Sequence, residues 1–482
     1  MKNNKYYLLG IGGIAMANLA CLFKKQGHVI SGSDLDTFGP SAVLLKKHGI
    51  KYFKNHSPLH IKKFKPDAII IGNAIQRGNP ALEYVLNKQI PYCSMPEVIK
   101  ERLIRGKRPI VVAGTSGKTT TAAILVWILK IAGLKPTALI GGIMKNTDSG
   151  FITGSGKYFV VEGDEYNSSF YDSSPKFLHY HPYRAIINNI QPDHLDTYGS
   201  LENIFKSFQK LVKIIPTNGL LALNNTDRFT PAILKESRSK IITFGKNGNI
   251  WASGIKLTPD GLSFIIYNGV KRLGEIKSQL LGKHNVENIL AAVSVALDIK
   301  IPFSKIRQAV ADFKGVKRRL EIIYRKNDMA IIDDFAHNPD KVSASLSALR
   351  SHFPKHRLIA VFEPRTGSSR RKFFQNIYVS SFKPANLVYV AEPYKKLALD
   401  KKEVFSSSQL AKDLNKSGVE AYAMKSADNI LAHLNKSFER ISKKPTIIVV
   451  MTSGEFDKIH NKLIKLVGKK IKNPDQRSEL QD

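Results

Sequence analysis

The segment GTSGKTT, Gly114 to Thr120, stands between a β-branched run, PIVVA at 109–113, and an apolar helical pattern, TTTAAILVWILKIAG. A glycine-rich turn in that position points backbone N–H groups, and the N-terminus of the following helix, at an anion. Phosphate is the anion such a loop suits. Gly114, Thr115, Ser116 and Gly117 would form the cradle, Lys118 would reach the β- and γ-phosphates, Thr119 would offer a hydroxyl to Mg2+, and Thr120 extends the helix start. The full pattern has a glycine two positions before Gly114, where this chain has Val112, so the assignment rests on the order strand, GKT, helix. The phosphate donor implied is ATP.

Other chemistry-bearing residues also follow apolar runs. YFVVEGDE (158–165) ends in Glu162, Asp164 and Glu165. Ligands of open α/β sheets sit at such strand ends, and Mg2+ takes few carboxylates beside phosphate and water. Glu162 is therefore the leading metal ligand, although a solvated acidic loop accounts equally well for any one of the three. AIINNIQPDHLDTYG (185–199) brings Asp193, His194 and Asp196 to another strand end; His194 could ligate a second cation or orient phosphate, or be structural. GKHNVENI (282–289) starts a helix with His284, Asn285 and Asn288, whose amides could read an adenine edge or cap the helix. KRRLE (317–321) offers Arg318 and Arg319, either to a transferred phosphate or to solvent as a basic linker. IIDDFAHNP (331–339) carries Asp333, Asp334 and His337, a place for a ribose-binding carboxylate. VFEPRTGSSRR (361–371) carries Arg365, Ser368, Ser369, Arg370 and Arg371, a set suited to carboxylate groups.

The elements that must position these residues alternate strand and helix. Residues 5–34 read as strand, glycine turn IGG, helix and strand, with Asp34 at the end. DAIII (67–71) and IPYCS (90–94) read as further strands, and RLIRGKRP (102–109) as a basic, turn-prone separator with a boundary near 106. A second α/β unit follows. Within it, 217–281 changes to short runs, GLLALN, KIITFG and LSFIIYNGVKRL, with TPDG and NG as hairpin signals, which predicts a small β appendage. After KGVKRRL (314–320), AIIDD, LIAVFEP, LVYVAEP and TIIVVMTSG alternate with helices as a third α/β unit. The expected domains are 1–106, 107–314 and 315–482, with a frayed tail beyond about 466.

The chain has 482 residues, room for two to four domains at roughly 100 to 200 residues each. Lys plus Arg number 74 against 39 Asp plus Glu, a formal net charge of +35. Such a potential favours acidic partners, but the basic residues run along the whole chain rather than in one aromatic-interleaved stripe, so no nucleic-acid partner is expected. Average Gly and Pro usage and evenly spread apolar residues exclude a disordered or collagenous chain. Cys21 and Cys93 are the only cysteines, which excludes a disulfide scaffold and fits a reducing compartment. The uncharged stretch Tyr6 to Phe23 has the length of a signal core, but Gly10, Gly12 and Gly13 interrupt it. No other run approaches the roughly 18 to 20 apolar residues that span a bilayer, so a cytoplasmic protein without membrane insertion is expected.

With LGIGGIAMANLA, SGSD, AGTSGKTT, VEGDE, DHLDTYG, GKHNVEN, GVKRRLE and DDFAHNP in this order over nearly the whole chain, the sequence closely resembles the Mur ligases, ATP-dependent amide-forming enzymes of peptidoglycan precursor synthesis. The resemblance implies an α/β, three-domain architecture: an N-terminal Rossmann-like UDP-binding domain, a central P-loop ATPase domain with a small β appendage, and a C-terminal Rossmann-like domain that binds the amine substrate. It implies ATP and Mg2+ as cofactors, a monomer or weak homo-oligomer, and closure of the domains around the substrates. By the same resemblance UDP is held by Gly10, Ile11, Gly12, Gly13, Ser33, Asp34 and Asn73. Lys118, Glu162, His194 and Arg319 act in catalysis, with Thr119, Glu162 and His194 on the metal. ATP meets residues 114–120, His284, Asn285, Asn288, Arg319 and Asp334. Two kinds of member share such an N-terminus, one adding L-alanine to UDP-N-acetylmuramate and one adding the recovered murein tripeptide L-Ala-γ-D-Glu-meso-diaminopimelate.

Three stretches favour the tripeptide kind: IIGNAIQRGNP (70–80), DEYNSSFYDSSPKFLHYHP (164–182) and FEPRTGSSRRKFFQ (362–375). L-alanine-adding members have a QPH-type segment where Glu363, Pro364 and Arg365 stand. The peptide would then meet Arg365, Ser368 and Arg370. The chain departs from the family pattern at Ser116, usually His or Asn, and at Asn167, often Asp in tripeptide members. Phe208 stands where several members carry a carbamylated lysine that these two kinds commonly lack. Glu162 lies in VEGDE where many have EADE. The alternatives are the L-alanine-adding activity and, outside this class, a basic P-loop ATPase acting on nucleic acid.

Overall fold

The amino-terminal pattern folds as a doubly wound sheet. The computed structural model describes residues 3–35, 37, 39–191, 200–367, 369–394 and 403–470. Strand Lys5–Leu9 is followed by a turn at Gly10, whose φ of 85° is open to glycine at no cost, then helix Ile14–Lys25 and strand Val29–Ser33. The five parallel strands lie in the order 52–53, 29–33, 5–9, 68–71, 92–94. The order therefore reverses beside strand 5–9. Its C-terminal glycine turn and Asn73, just past strand Ala68–Ile71, both lie at this switch point, where such sheets bind ligands.

A ten-stranded sheet follows in the order 271–278, 261–268, 250–258, 240–244, 220–224, 184–187, 108–113, 158–162, 137–144, 149–152. Strand Arg108–Ala113 lies between Arg184–Ile187 and Tyr158–Glu162, parallel to both. This pairing brings three strand ends side by side. GLLALN and KIITFG are not hairpin strands of an appendage. Leu220–Asn224 and Lys240–Phe244 are parallel neighbours in this sheet, joined through helix Thr230–Glu236. Their fully buried or half-buried runs suit a sheet covered by helices. Only the strands at 250–278 form the antiparallel extension, hydrogen-bonded on through 240–244. RLIRGKRP is likewise shorter as a separator than its composition suggests. Lys100–Ile104 is helical with Leu103 and Ile104 buried, and the turn is confined to 105–107 around Gly106.

One apolar cluster runs through both sheets, from Tyr6, Leu19 and Phe23 to Val111, Phe159 and Phe208. Asn18 on the first helix reinforces it. Its amide donates to the carbonyls of Ile140 and Gly142 and accepts the Gly150 N–H at 3.0 Å. Residues 1–256, 262–279 and 284–316 accordingly form one compact unit. Burial pushes the thiols of Cys21 and Cys93 up to about 12, which keeps them protonated near neutral pH. Among the described residues no helix is long and apolar enough to cross a membrane.

The second unit comprises 257–261, 280–283 and 317 onward. Its sheet runs 321–326, 329–334, 446–451, 357–362, 387–391, 420–424, parallel except for the first strand. Along Met329–Asp334 alternate side chains enter different cores, Ala330 and Ile332 on one face and Met329 and Ile331 on the other, as the pleat dictates.

The short segments 257–261 and 280–283 are tied into this unit by buried His352. Its Nε2 accepts the Gly282 N–H at 2.7 Å and its Nδ1–H donates to the Thr258 carbonyl at 2.6 Å. That pattern requires neutral imidazole. Burial lowers the His352 pKa below its ordinary 6.5, against an opposing pull from the Thr258 carbonyl. A histidine depressed in the fold contributes stability that is complete above the unfolded value and is lost as pH falls below it. The drop in Tm between pH about 7.5 and about 5.5 should therefore be smaller in His352→Gln than in the wild type. Equal drops would mean that His352 does not carry this dependence.

Candidate active site

The loop after strand Arg108–Ala113 is held open by neighbouring strand ends. Gly114 and Gly117 have φ of 123° and 81°. A Cβ on Gly114 would lie 3.0 Å from backbone atoms of Asn188 and Asn189. The two asparagines follow strand Arg184–Ile187 and fasten the loop. Asn189 accepts the Thr115 N–H on its carbonyl and the Ser116 N–H on its side chain at 2.8 Å, while Asn188 donates to the Ser116 carbonyl at 3.2 Å and to Thr121 Oγ1 at 3.1 Å.

Lys118 begins helix Lys118–Ile131 and folds back over the loop. Its Nζ donates to the Gly114 carbonyl at 2.8 Å and to both Glu165 oxygens at 3.0 and 2.7 Å. Burial works against the ammonium charge, but Glu165, Asp164 and Glu162 outweigh it and hold the lysine above its usual range. Burial pushes the Glu165 carboxyl up, against the pull of Lys118. Asp164 pairs with Lys176 at 2.6 Å; burial would raise its carboxyl, and Lys176 and Lys118 bring it below its ordinary value.

Thr119 and Glu162 meet as the sequence suggested. Thr119 Oγ1 donates to Glu162 Oε1 at 2.9 Å, and Glu162 Oε2 accepts the Gly141 N–H at 2.7 Å. Among the described residues no three His, Cys, Asp or Glu side chains gather for a metal. A hydroxyl and one carboxylate fit Mg2+, which fills its octahedron mainly with water and phosphate oxygens. His194, the third expected metal ligand, lies outside the described residues together with Asp193 and Asp196.

At the start of helix His284–Asp298, His284 is exposed while Asn285 and Asn288 are buried. Asn288 Oδ1 accepts from Thr121 at 3.2 Å and its Nδ2 donates to Asn285 Oδ1 at 2.8 Å. These bonds brace the two helices under Gly117. In the first sheet, Gly12 N–H donates to Asp34 Oδ2 at 2.8 Å, and the N–H groups of Gly10 and Ile11 donate to the Ser33 carbonyl. A Cβ on Gly12 would lie 2.9 Å from the Asp34 carboxylate. Ser33 Oγ also meets His56 Nδ1 at 3.0 Å, and the nearby Thr37 hydroxyl is buried without a hydrogen-bond partner among the described residues. Gly13 is exposed where the helix begins. An orphaned hydroxyl beside a glycine turn suits a polar ligand.

In the second unit the two arginines of KRRLE diverge. Arg318, at φ 63°, donates to the carbonyls of Thr452, Ser453 and Gly454 and is structural. Arg319 is exposed, its guanidinium 5.3 Å from the centre of the Phe335 ring. Asp334, expected at a ribose, is buried; it accepts from Ser345 Oγ and the Leu320 N–H, and burial raises its carboxyl. Arg365 lies 3.5 Å from the centre of the Tyr394 ring and pairs with Glu363 at 3.4 Å. Arg370 donates to the carbonyls of Thr366 and Tyr394, so it ties the chain together. Ser368 lies outside the described residues. Sequence reasoning passed over Glu165 as Lys118's partner, the Asn188–Asn189 brace, and Tyr394. The asparagine pair ending the apolar run AIINN was a usable signal; Tyr394 carried none.

Family models match residues 5–107 (Mur ligase family, catalytic domain), 112–296 (Mur ligase middle domain) and 318–454 (Mur ligase, glutamate ligase domain). The chain is 33% identical to UDP-N-acetylmuramate–L-alanyl-γ-D-glutamyl-meso-2,6-diaminoheptandioate ligase of Escherichia coli K12, covering 97% of this chain and 99% of that protein. It is 37% identical to UDP-N-acetylmuramate–L-alanine ligase of Endomicrobium trichonymphae over 82% of this chain and 85% of that one. Among solved structures, a murein peptide ligase from Psychrobacter arcticus superposes with a TM-score of 0.72 at 28% identity, covering 98% and 100% of the two chains. The UDP-N-acetylmuramate–alanine ligase of Thermotoga maritima gives 0.81 at 25%, covering 97% and 100%. By family matches across both compact units and relatives matched nearly end to end, this chain belongs to the Mur ligase family.

Proposed function

We infer that this chain joins UDP-N-acetylmuramate to L-alanyl-γ-D-glutamyl-meso-diaminopimelate at the expense of ATP, the reaction of peptidoglycan recycling. Residues 1–106, 107–314 and 315–482 would serve the UDP sugar, ATP and the amine in turn. The observation that carries this reading is the segment Glu363, Pro364 and Arg365, standing where L-alanine-adding members have QPH, in a chain 33% identical to the Escherichia coli tripeptide ligase.

A carboxylate is a poor electrophile at neutral pH. The lactyl carboxylate oxygen of UDP-N-acetylmuramate attacks the γ-phosphorus of ATP and ADP leaves; the alanyl nitrogen then attacks the acyl phosphate, a proton is lost, and phosphate departs. Such chemistry needs positioning and fixed charge more than covalent help. The backbone of 114–117 orients the phosphates, and Lys118 exchanges its Glu165 partner for phosphate oxygens. Mg2+, when bound, offsets charge on the phosphates, and Thr119 and Glu162 are the side chains that would hold it. His194 and Arg319 are the further candidates for phosphate, and Arg365 for a peptide carboxylate. Gly10, Ile11, Gly12, Gly13, Ser33, Asp34 and Asn73 would bind the UDP sugar.

The test is phosphate release with Mg2+, ATP and UDP-N-acetylmuramate, offering L-alanine or the tripeptide. Release with tripeptide alone is expected. Release with L-alanine would establish the second reading, which the Endomicrobium and Thermotoga similarities favour. In Glu162→Gln the Mg2+ concentration for half-maximal activity should rise at least about tenfold, since a charged ligand becomes neutral. An unchanged Mg2+ titration would remove Glu162 from the metal.

A further inference from the structure

The loop that ends strand Thr446–Met451 is not used in the reaction described above, yet it gathers groups from three segments. Arg318 donates to the carbonyls of Thr452, Ser453 and Gly454. Thr452 Oγ1 donates to Glu363 Oε2 and accepts the Gly454 N–H at 2.9 Å. Glu363, 5% exposed, has its other oxygen 3.4 Å from Arg365 Nη1. Thr452 and Glu363 lie at the ends of adjacent parallel strands, with Met451 opposite Phe362 in the register.

Gly454 completes this arrangement. A Cβ there would lie 2.2 Å from Arg365 Nε, 2.3 Å from Cζ and 2.4 Å from Cδ, while no backbone atom is among the three nearest. Gly454 is also absent from the positive-φ positions, so alanine meets no backbone strain there. The glycine therefore serves one purpose visible in the fold, which is room for this guanidinium. On another side the guanidinium rests on Tyr394, 3.5 Å from the ring centre, a stacking that arginine favours.

We propose that Gly454, Glu363 and Tyr394 form the seat of Arg365, and that the loop 452–454 is a positioning element for selection of the carboxylate-bearing peptide. This rests on the reading of Arg365 as a peptide contact. Seat and guanidinium act as one device, because a planar fork recognises a carboxylate only when its plane and angle are set. Arg318, on the back of the same loop, holds the platform.

Gly454→Ala tests this, because the added methyl displaces Arg365 and little else. Its KM for the tripeptide should rise about tenfold or more, with the KM values for ATP and UDP-N-acetylmuramate within about twofold of wild type. In an Arg365→Ala background the same change should have no further effect, as for two residues acting through one group. Tyr394→Leu, which removes the stacking face, should give the same selective rise and keeps the test open should Gly454→Ala fail to fold. A tripeptide KM unchanged in both variants, or an undiminished effect of Gly454→Ala without Arg365, would overturn the proposal. Should wild type release no phosphate with the tripeptide, the functional reading itself fails. Should it do so while the variants are unaffected, only the seat fails.

Discussion

Lys118→Ala should lower tripeptide-dependent phosphate release by at least about a hundredfold to a thousandfold, the usual loss when one fixed charge at a transferring group is removed. It should also destabilise the protein. Lys118 and Glu165 bury each other, with side-chain exposures of 12% and 4%. Removing one member leaves a carboxylate without its counter-ion, which costs about 3 to 5 kcal/mol in buried pairs unless it takes up a proton. Burial already pushes the Glu165 carboxyl up, so without the lysine protonation moderates the loss. Thermal melts should show Lys118→Ala below wild type and Lys118→Ala with Glu165→Gln recovering much of the difference, while both remain inactive. Activity in Lys118→Ala would remove the lysine from phosphate binding. An unchanged Tm would mean that the pair contributes nothing to the fold.

Gly117→Ala should damage both the fold and nucleotide binding. A φ of 81° costs an L-residue about 1 to 2 kcal/mol by itself. The new Cβ would also lie 2.3 Å from Asn288 Oδ1 and 2.7 Å from Asn188 Nδ2. Neither amide can yield cheaply, because both are buried and hydrogen-bonded to Thr121. Overpacking typically adds about 1 to 3 kcal/mol, and the loop that should cradle phosphate moves with the asparagines. Gly106→Ala is the control. Its φ is 76° and nothing lies within 4 Å of its Cβ, so only the backbone cost remains. Gly117→Ala should melt well below Gly106→Ala and raise the KM for ATP more than about tenfold. Similar melting of the two would show that the Asn188–Asn288 brace is soft.

Motifs whose chemistry depends on the local backbone were legible without a structure. The glycine turns at 10–13 and 114–117 could be read because positive φ and close approach demand glycine at particular places, and the helix behind each turn announces itself by its apolar pattern. The strand end at Glu162 could be read because a buried apolar run precedes it. The parallel membership of GLLALN and KIITFG could not, since short apolar runs have the same appearance in a hairpin and in a crossover with a seven-residue helix between the strands.

Partners far apart in the chain were decided only by tertiary structure. Glu165 meets Lys118 across 47 positions, Asn288 meets Thr121 across 167, and Gly454 makes room for Arg365 across 89. The sequence alone determined the α/β class, the glycine-rich turn between strand and helix at 114–117 and the resemblance to a family, because each is written in contiguous residues. Which arginine braces a loop and which stays exposed, and which asparagines tie two helices together, depends on strand order and register. Those juxtapose residues through packing that no local pattern encodes.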